Sequence, residues 1–280
     1  MKSVGLDVCI NPNGILFNPL SVAVSLRRIM EGKAYEADEL DLVGDLYLSW
    51  QHHGSYKSVR SADILDSINR DLKTAESHLR AGCVLALTWG TAYYYILRSN
   101  GEIVANCHKQ PSHLFKKAFA EPDEIVDFYQ DLLSALWQRY PQTKVILTIS
   151  PVRHLKDGFV ENQQSKASLV LAAGKLVQLY EGRLMYFPAY EIILDELRDY
   201  RFYAADMVHP AEMAIEYVWE RFKESFFGED EQQVLKEADE IARLKNHRPL
   251  FPESEANQRF EAIRNVRIRD FSARYPYLKI

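Results

Sequence analysis

The sequence predicts a three-layer α/β/α fold built on a parallel sheet, with a helical C-terminal extension. Three observations carry this expectation. Two continuous apolar runs, residues 83–88 (CVLALT) and 144–150 (KVILTIS), read as strands buried on both faces, the pattern of a parallel sheet. A third short run, 183–187 (RLMYF), follows them. Amphipathic stretches of helical length lie between, and strands alternating with helices argue a sheet covered on both sides with right-handed crossovers.

Taken in order, residues 6–10 (LDVCI) read as a strand closed by the turn Asn11-Pro12-Asn13-Gly14. Residues 20–30 suit a helix, with apolar positions at 22, 26, 29 and 30. The stretch 34–60 mixes short apolar runs with Trp50, His52 and His53 and reads as irregular or as short helices. Residues 61–80 place Ile64, Leu65, Ile68, Leu72 and Ala75 on one helical face, with Ser61 as N-cap. After the strand at 83–88 come Trp89-Gly90-Thr91 and two β-rich runs around Asn100-Gly101, a hairpin signal. Residues 121–140 form a helix with Pro122 in its first turn. Residues 162–180 form another, with Leu169, Ala173, Leu176, Val177 and Tyr180 on one stripe. Helices near 190–198 and 211–226 close the first domain, 1–226. The extension, 227–280, carries two charged amphipathic helices, roughly 230–246 and 253–275, suited to packing or self-association.

Composition narrows the function classes. Hydrophobic residues make up 47% of the 280 and charged residues 26%, the balance of a globular chain with a sizeable core. A net charge of -5 leaves no basic excess for neutralising phosphates, so a nucleic-acid partner is not expected. No apolar run reaches the ~18 residues of a membrane span, and residues 1–7 lack a signal-peptide core. A cytoplasmic location is the expectation. Cys9, Cys83 and Cys107 have no metal-ligand spacing. Adjacent His52 and His53 point to opposite sides of an extended chain, so neither a metal nor a cofactor is expected.

Ligands of open α/β sheets sit at the carboxyl ends of strands. Four segments fall there: 11–14, 89–91, 150–154 and the loop holding Asp206 and His209. Pro210 disfavours a helical His209 and suits the first turn of the next helix. An acid three residues before His209 can fold back onto Nδ1, fix the tautomer and leave Nε2 as a general base. The competing reading makes Asp206 a turn cap and His209 a packed helix end. The placement at a strand mouth favours the catalytic one.

Several segments resemble the GSCFA family, a relative of the SGNH/GDSL hydrolases. They are NPNGILFNPLS (11–21), WGTAYYY (89–95), IVANCHK (103–109), SPVRHLKDGFVENQQSKA (150–167), FPAYEI (187–192) and ELRDYRFYAADMVHP (196–210). The resemblance implies an SGNH-like sheet and hydrolysis of a small-molecule or carbohydrate ester, with Asp206 and His209 as catalytic acid and base. It also implies a serine in a Gly-Ser-Cys-Phe-Ala run, which this sequence does not contain. The expectation is a chain lacking the family's first strand and nucleophile loop, with little turnover of its own. Ser3 and Ser150 are not expected to substitute. For oxyanion and substrate binding the resemblance points to Gly14, and to Gly90 and Thr91 where an Asn would be expected. Asn106 and His108 admit two readings, cleft lining or a turn closing the hairpin. Arg153 and His154 likewise read as binders of carboxylate or phosphate, or as a solvated loop. The alternative to an enzyme is a non-catalytic module that binds a ligand or partner on the same fold.

Overall fold

The computed structural model describes residues 1 and 4–279. The chain divides into two compact units, Asn11–Val218 and the pair of segments Met1–Ile10 and Trp219–Ile280.

In the larger unit, α1 (Pro19–Glu31) starts where the Asn18 side chain accepts the Ser21 amide and Pro19 occupies the first turn. It stops at Gly32, whose φ of 65° suits the left-handed closing position. Next comes a small antiparallel sheet of β1 (Asp41–Val43), β2 (Leu46–Leu48) and β3 (Lys57–Ser58). This corrects part of the expectation for residues 34–60, where a short helical turn, Ala37–Glu39, and the irregular stretch 49–56 also occur. Helix α2 (Ser61–Ala81) buries Ile64, Ile68, Leu72, Ala75 and Leu79 along one stripe. Ser61 is its first helical residue and Arg60 takes the cap position. Strand β4 (Val84–Trp89) follows, then β5 (Tyr93–Leu97), β6 (Ile103–Val104) and β7 (Phe115–Phe119) in an antiparallel sheet of order β6-β5-β7. The Asn100-Gly101 hairpin forms as read from the sequence, and β7 is an addition to it.

Helix α3 (Pro122–Arg139), β8 (Lys144–Ile149), α4 (Phe159–Leu179) and β9 (Leu184–Phe187) complete the α/β alternation. The short α5 (Ala189–Glu191) runs into a wider turn at Ile192–Glu196, and α6 (Glu212–Phe226) follows the candidate loop. The parallel sheet has order β4-β8-β9. Its register pairs Trp89 with Ile149 and Thr148 with Phe187, so all three strands end at one level. That shared edge is where ligands meet such sheets.

Two expectations about strands are corrected. Residues 6–10 form no strand; Ile10 is exposed and the segment belongs to the smaller unit. Strand β4 is not buried on both faces. Val84, Ala86 and Thr88 are exposed while Leu87 and Trp89 are buried, so one face of this strand is uncovered.

Trp89, fully buried, ties the sheet to its helices: Nε1 donates to the Tyr129 hydroxyl at 2.9 Å, which donates to the Pro19 carbonyl at 2.9 Å. Tyr129→Phe strands both a buried indole N–H and a buried carbonyl. It is expected to cost about 2–4 kcal/mol, since each orphaned buried group costs ~1–3 kcal/mol. Urea unfolding monitored by tryptophan fluorescence reads this, and an unchanged midpoint would rule the relay out as a stabilising contact.

The smaller unit contains α7 (Glu229–Asn246) and α8 (Glu255–Arg274). Val4 packs with Leu235, Ala238, Ile241, Phe271 and Leu278, and the Lys279 amide donates to the Gly5 carbonyl. No helix among the described residues is long and apolar enough to cross a membrane.

Candidate active site

The loop between Tyr203 and Pro210 is held by its own backbone. Tyr203 and Pro210 form an isolated antiparallel bridge, the Ala204 amide donates to the His209 carbonyl at 2.7 Å, and the Met207 amide donates to Ala204. Met207 turns the chain with φ of 59°. This tight turn lets Asp206 reach three donors. Its Oδ1 accepts the amides of Val208 at 2.9 Å and His209 at 3.0 Å, and its Oδ2 lies 2.6 Å from His209 Nδ1. The His209 amide, then its ring, then the Val208 amide hold the Asp206 carboxyl down to about 2. The carboxylate is therefore charged at every pH where the pair could work. Both side chains are exposed, and among the described residues no hydroxyl is bonded to His209 Nε2.

Two contacts place this loop at the strand mouth. The Arg153 guanidinium lies over the Tyr203 ring at 5.5 Å. Pro210 shares an apolar recess with Pro151, the second residue after β8, and with Ala189, the second after β9. His154, from the same segment as Arg153, stands edge-on to Phe17 and receives burial enough to lower its pKa, with Lys166 adding to the effect.

The expected oxyanion donors are engaged by carbonyls of the chain itself. The amides of Gly90 and Thr91 both donate to the Phe17 carbonyl, at 2.7 and 3.0 Å. A Cβ on Gly90 would stand 3.1 Å from that oxygen and 3.1 Å from His154 Nε2, which explains the glycine by close approach. The Thr91 hydroxyl is 3.1 Å from the Ser165 hydroxyl and buried. Gly14 donates its amide to the Asn11 carbonyl at 2.7 Å, and its φ of 75° and a 2.2 Å clash of any Cβ with His53 make it a turn residue.

The contacts of Asn106 and His108 are those of the turn reading. The Asn106 side chain accepts the His108 amide at 2.7 Å. His108 is 3% exposed, packs edge-on to Trp50, and places Nε2 2.9 Å from the Ser49 carbonyl. His52 is equally buried, between Ser49 and Asn13, and burial pushes its pKa down to about 3. His53 instead meets Ser55. The Ser150 hydroxyl accepts the Val152 amide, while Ser3 lies outside the described residues.

Lys166 is the site residue that sequence reasoning passed over. It is 1% exposed, and its ammonium donates to the carbonyls of Gly90 and Ser150, each at 2.6 Å. It bridges the residues immediately after β4 and β8 and lies 5.7 Å from the Tyr190 ring. Burial brings it down to about 7. Its signal was a lysine on the stripe Asn162, Ser165, Lys166, Leu169, Ala173, the inward face of α4.

No curated protein and no solved structure matches this chain. The GSCFA family profile matches residues 1–222. With four of its six resembling blocks around the sheet mouth (Phe17, Gly90, Ser150 to Lys166 and Asp206 to His209) and the match running through most of its length, the chain belongs to the GSCFA family.

Proposed function

We propose that this chain carries the acid–base half of an SGNH-type serine ester hydrolase that removes acyl groups from a carbohydrate or other small ester. The observation behind the reading is the 2.6 Å contact between Asp206 Oδ2 and His209 Nδ1 at the mouth of a parallel sheet. An ionised Asp206 selects the tautomer with the proton on Nδ1, so the Nε2 lone pair faces solvent. A serine hydroxyl placed there would lose its proton to Nε2 as its oxygen attacks the ester carbonyl. The imidazolium would then protonate the departing alcohol, and water would repeat the cycle on the acyl-enzyme. By the family resemblance the serine comes from a Gly-Ser-Cys-Phe-Ala segment.

The second reading, a ligand-binding module without catalysis, is favoured by one observation. The amides of Gly14, Gly90 and Thr91, the three expected oxyanion donors, are already bonded to carbonyls. The two readings separate in one assay. A panel of short esters is given to the chain, to the chain extended by a strand bearing Gly-Ser-Cys-Phe-Ala, and to the extended chain with His209→Ala. The enzyme reading expects turnover to rise at least ~100-fold on extension and to vanish with His209→Ala. Turnover that is unchanged by extension, or that survives loss of His209, favours the binding module.

A further inference from the structure

We infer that the apolar recess beside His209 is an acyl-chain subsite that takes an unbranched aliphatic group of about four carbons. The recess has a volume of about 120 Å³ and is lined by Pro151, Ala189, Ile193, Pro210, Ile215 and Val218, with no polar surface in its wall. Pro210, one of the lining residues, directly follows His209 in the chain. Pro151 and Ala189 come from the carboxyl ends of two neighbouring strands, so the recess sits at the level where the ester carbonyl would lie. Its identity as an acyl site, but not its apolar binding, rests on the ester-hydrolase reading.

Chemistry and size both select the occupant. A wall without donors or acceptors rejects sugar hydroxyls and charged groups, which would lose their hydration without replacement. A cavity of about 150 Å³ with aliphatic walls holds benzene, so a slightly smaller one suits a straight chain of about four carbons. Much of the wall is rigid. Two of its six residues are prolines, and Ile193 is 1% exposed, packed with Leu197 and Ala214. Ile215 is 58% exposed and forms the outer lip. The structure thus separates a fixed floor from an adjustable rim. The alcohol side of the ester would face the polar surroundings of Arg153 and His209.

The test uses the whole chain and straight-chain primary alcohols of two to six carbons, read by methyl NMR of the isoleucines. The expected result is shifts confined to Ile193, Ile215 and their neighbours, with affinity rising about fourfold per methylene up to about four carbons and then levelling. Ile215→Ala should move the break to a longer chain, and Ile215→Trp should shorten it; because Ile215 is exposed, both variants are expected to fold. Absence of shifts at Ile193, or a break that ignores both Ile215 variants, overturns the subsite. Chain-length-selective binding without ester hydrolysis in the extended protein would instead sink only the hydrolase reading.

Discussion

Asp206→Asn, made in the protein extended by the serine-bearing segment, is expected to lower ester turnover by about 10³–10⁴-fold with little change in KM. The loop explains why asparagine is the informative choice. Its carbonyl oxygen can keep both backbone contacts, from the amides of Val208 and His209, so the turn around Met207 persists. What it cannot keep is a negative acceptor at Nδ1. The amide nitrogen would donate toward the ring, drive the proton to Nε2 and leave no base for a serine. Asp206→Ala should cost as much activity and also loosen the loop, because it removes all three contacts. Amide exchange at Val208 and His209 distinguishes the two variants: protected in Asp206→Asn, fast in Asp206→Ala. If exchange differs in this way but both variants retain turnover, Asp206 is only a cap.

The same loop sets a pH expectation. A carboxyl whose folded pKa is depressed, here from 3.8 to about 2, contributes its stabilisation fully above the unfolded value and loses it as pH falls through the folded one. The loop should therefore keep its turn unchanged from neutrality to about pH 4, and lose it only as the pH approaches 2.

These two features were legible in the sequence for the same reason: their contacts are local. An acid and a histidine three residues apart, with Pro210 fixing the exit, need only their own turn to meet. The alternation of long apolar runs with helical stripes was legible because each run specifies its own burial. Short elements were not. The β1–β2 hairpin turns at Gly44-Asp45, a recognisable dipeptide, but strands of three residues are too short to show a period of two. Strand β7 reads FKKAF, and its adjacent exposed residues Lys116 and Lys117 lie on opposite faces, so the strand shows no alternation of apolar and polar positions. The partners of the oxyanion candidates were hidden for a different reason. Which acceptor reaches Gly90 and Thr91 is decided by Phe17, more than seventy residues earlier, and no local pattern encodes that encounter. Lys166 belongs to the same class. On its helix it looks like a break in an apolar stripe, and only the tertiary fold supplies the two carbonyls beneath strands β4 and β8.

Lys166 should make the protein less stable as the pH falls from about 9 to 7. Its folded pKa, about 7, lies below the ordinary lysine value of 10.5 because burial penalises the ammonium. The sign follows from proton counting. Between these two values the unfolded chain binds a proton at Lys166 that the folded chain holds only in part, so stability rises with pH, with a limiting slope of about 1.4 kcal/mol per unit. Below pH 7 both states are protonated and the slope vanishes. Above 10 the buried hydroxyl of Tyr129, which resists ionisation in the fold, reverses the trend, so the clean window is pH 7–9. Lys166→Met removes the titration and leaves the carbonyls of Gly90 and Ser150 without their donor, at ~1–3 kcal/mol each. The variant should then be clearly less stable than the parent at pH 9. At pH 7 the gap should shrink by about 2 kcal/mol, because the parent now bears the cost of a buried charge that the variant lacks. Urea unfolding of both proteins at pH 7, 8 and 9 gives that difference directly. A gap that stays constant across the window would mean the two carbonyls solvate the ammonium as well as water does, and Lys166 would then be a permanently charged clamp on the strand ends.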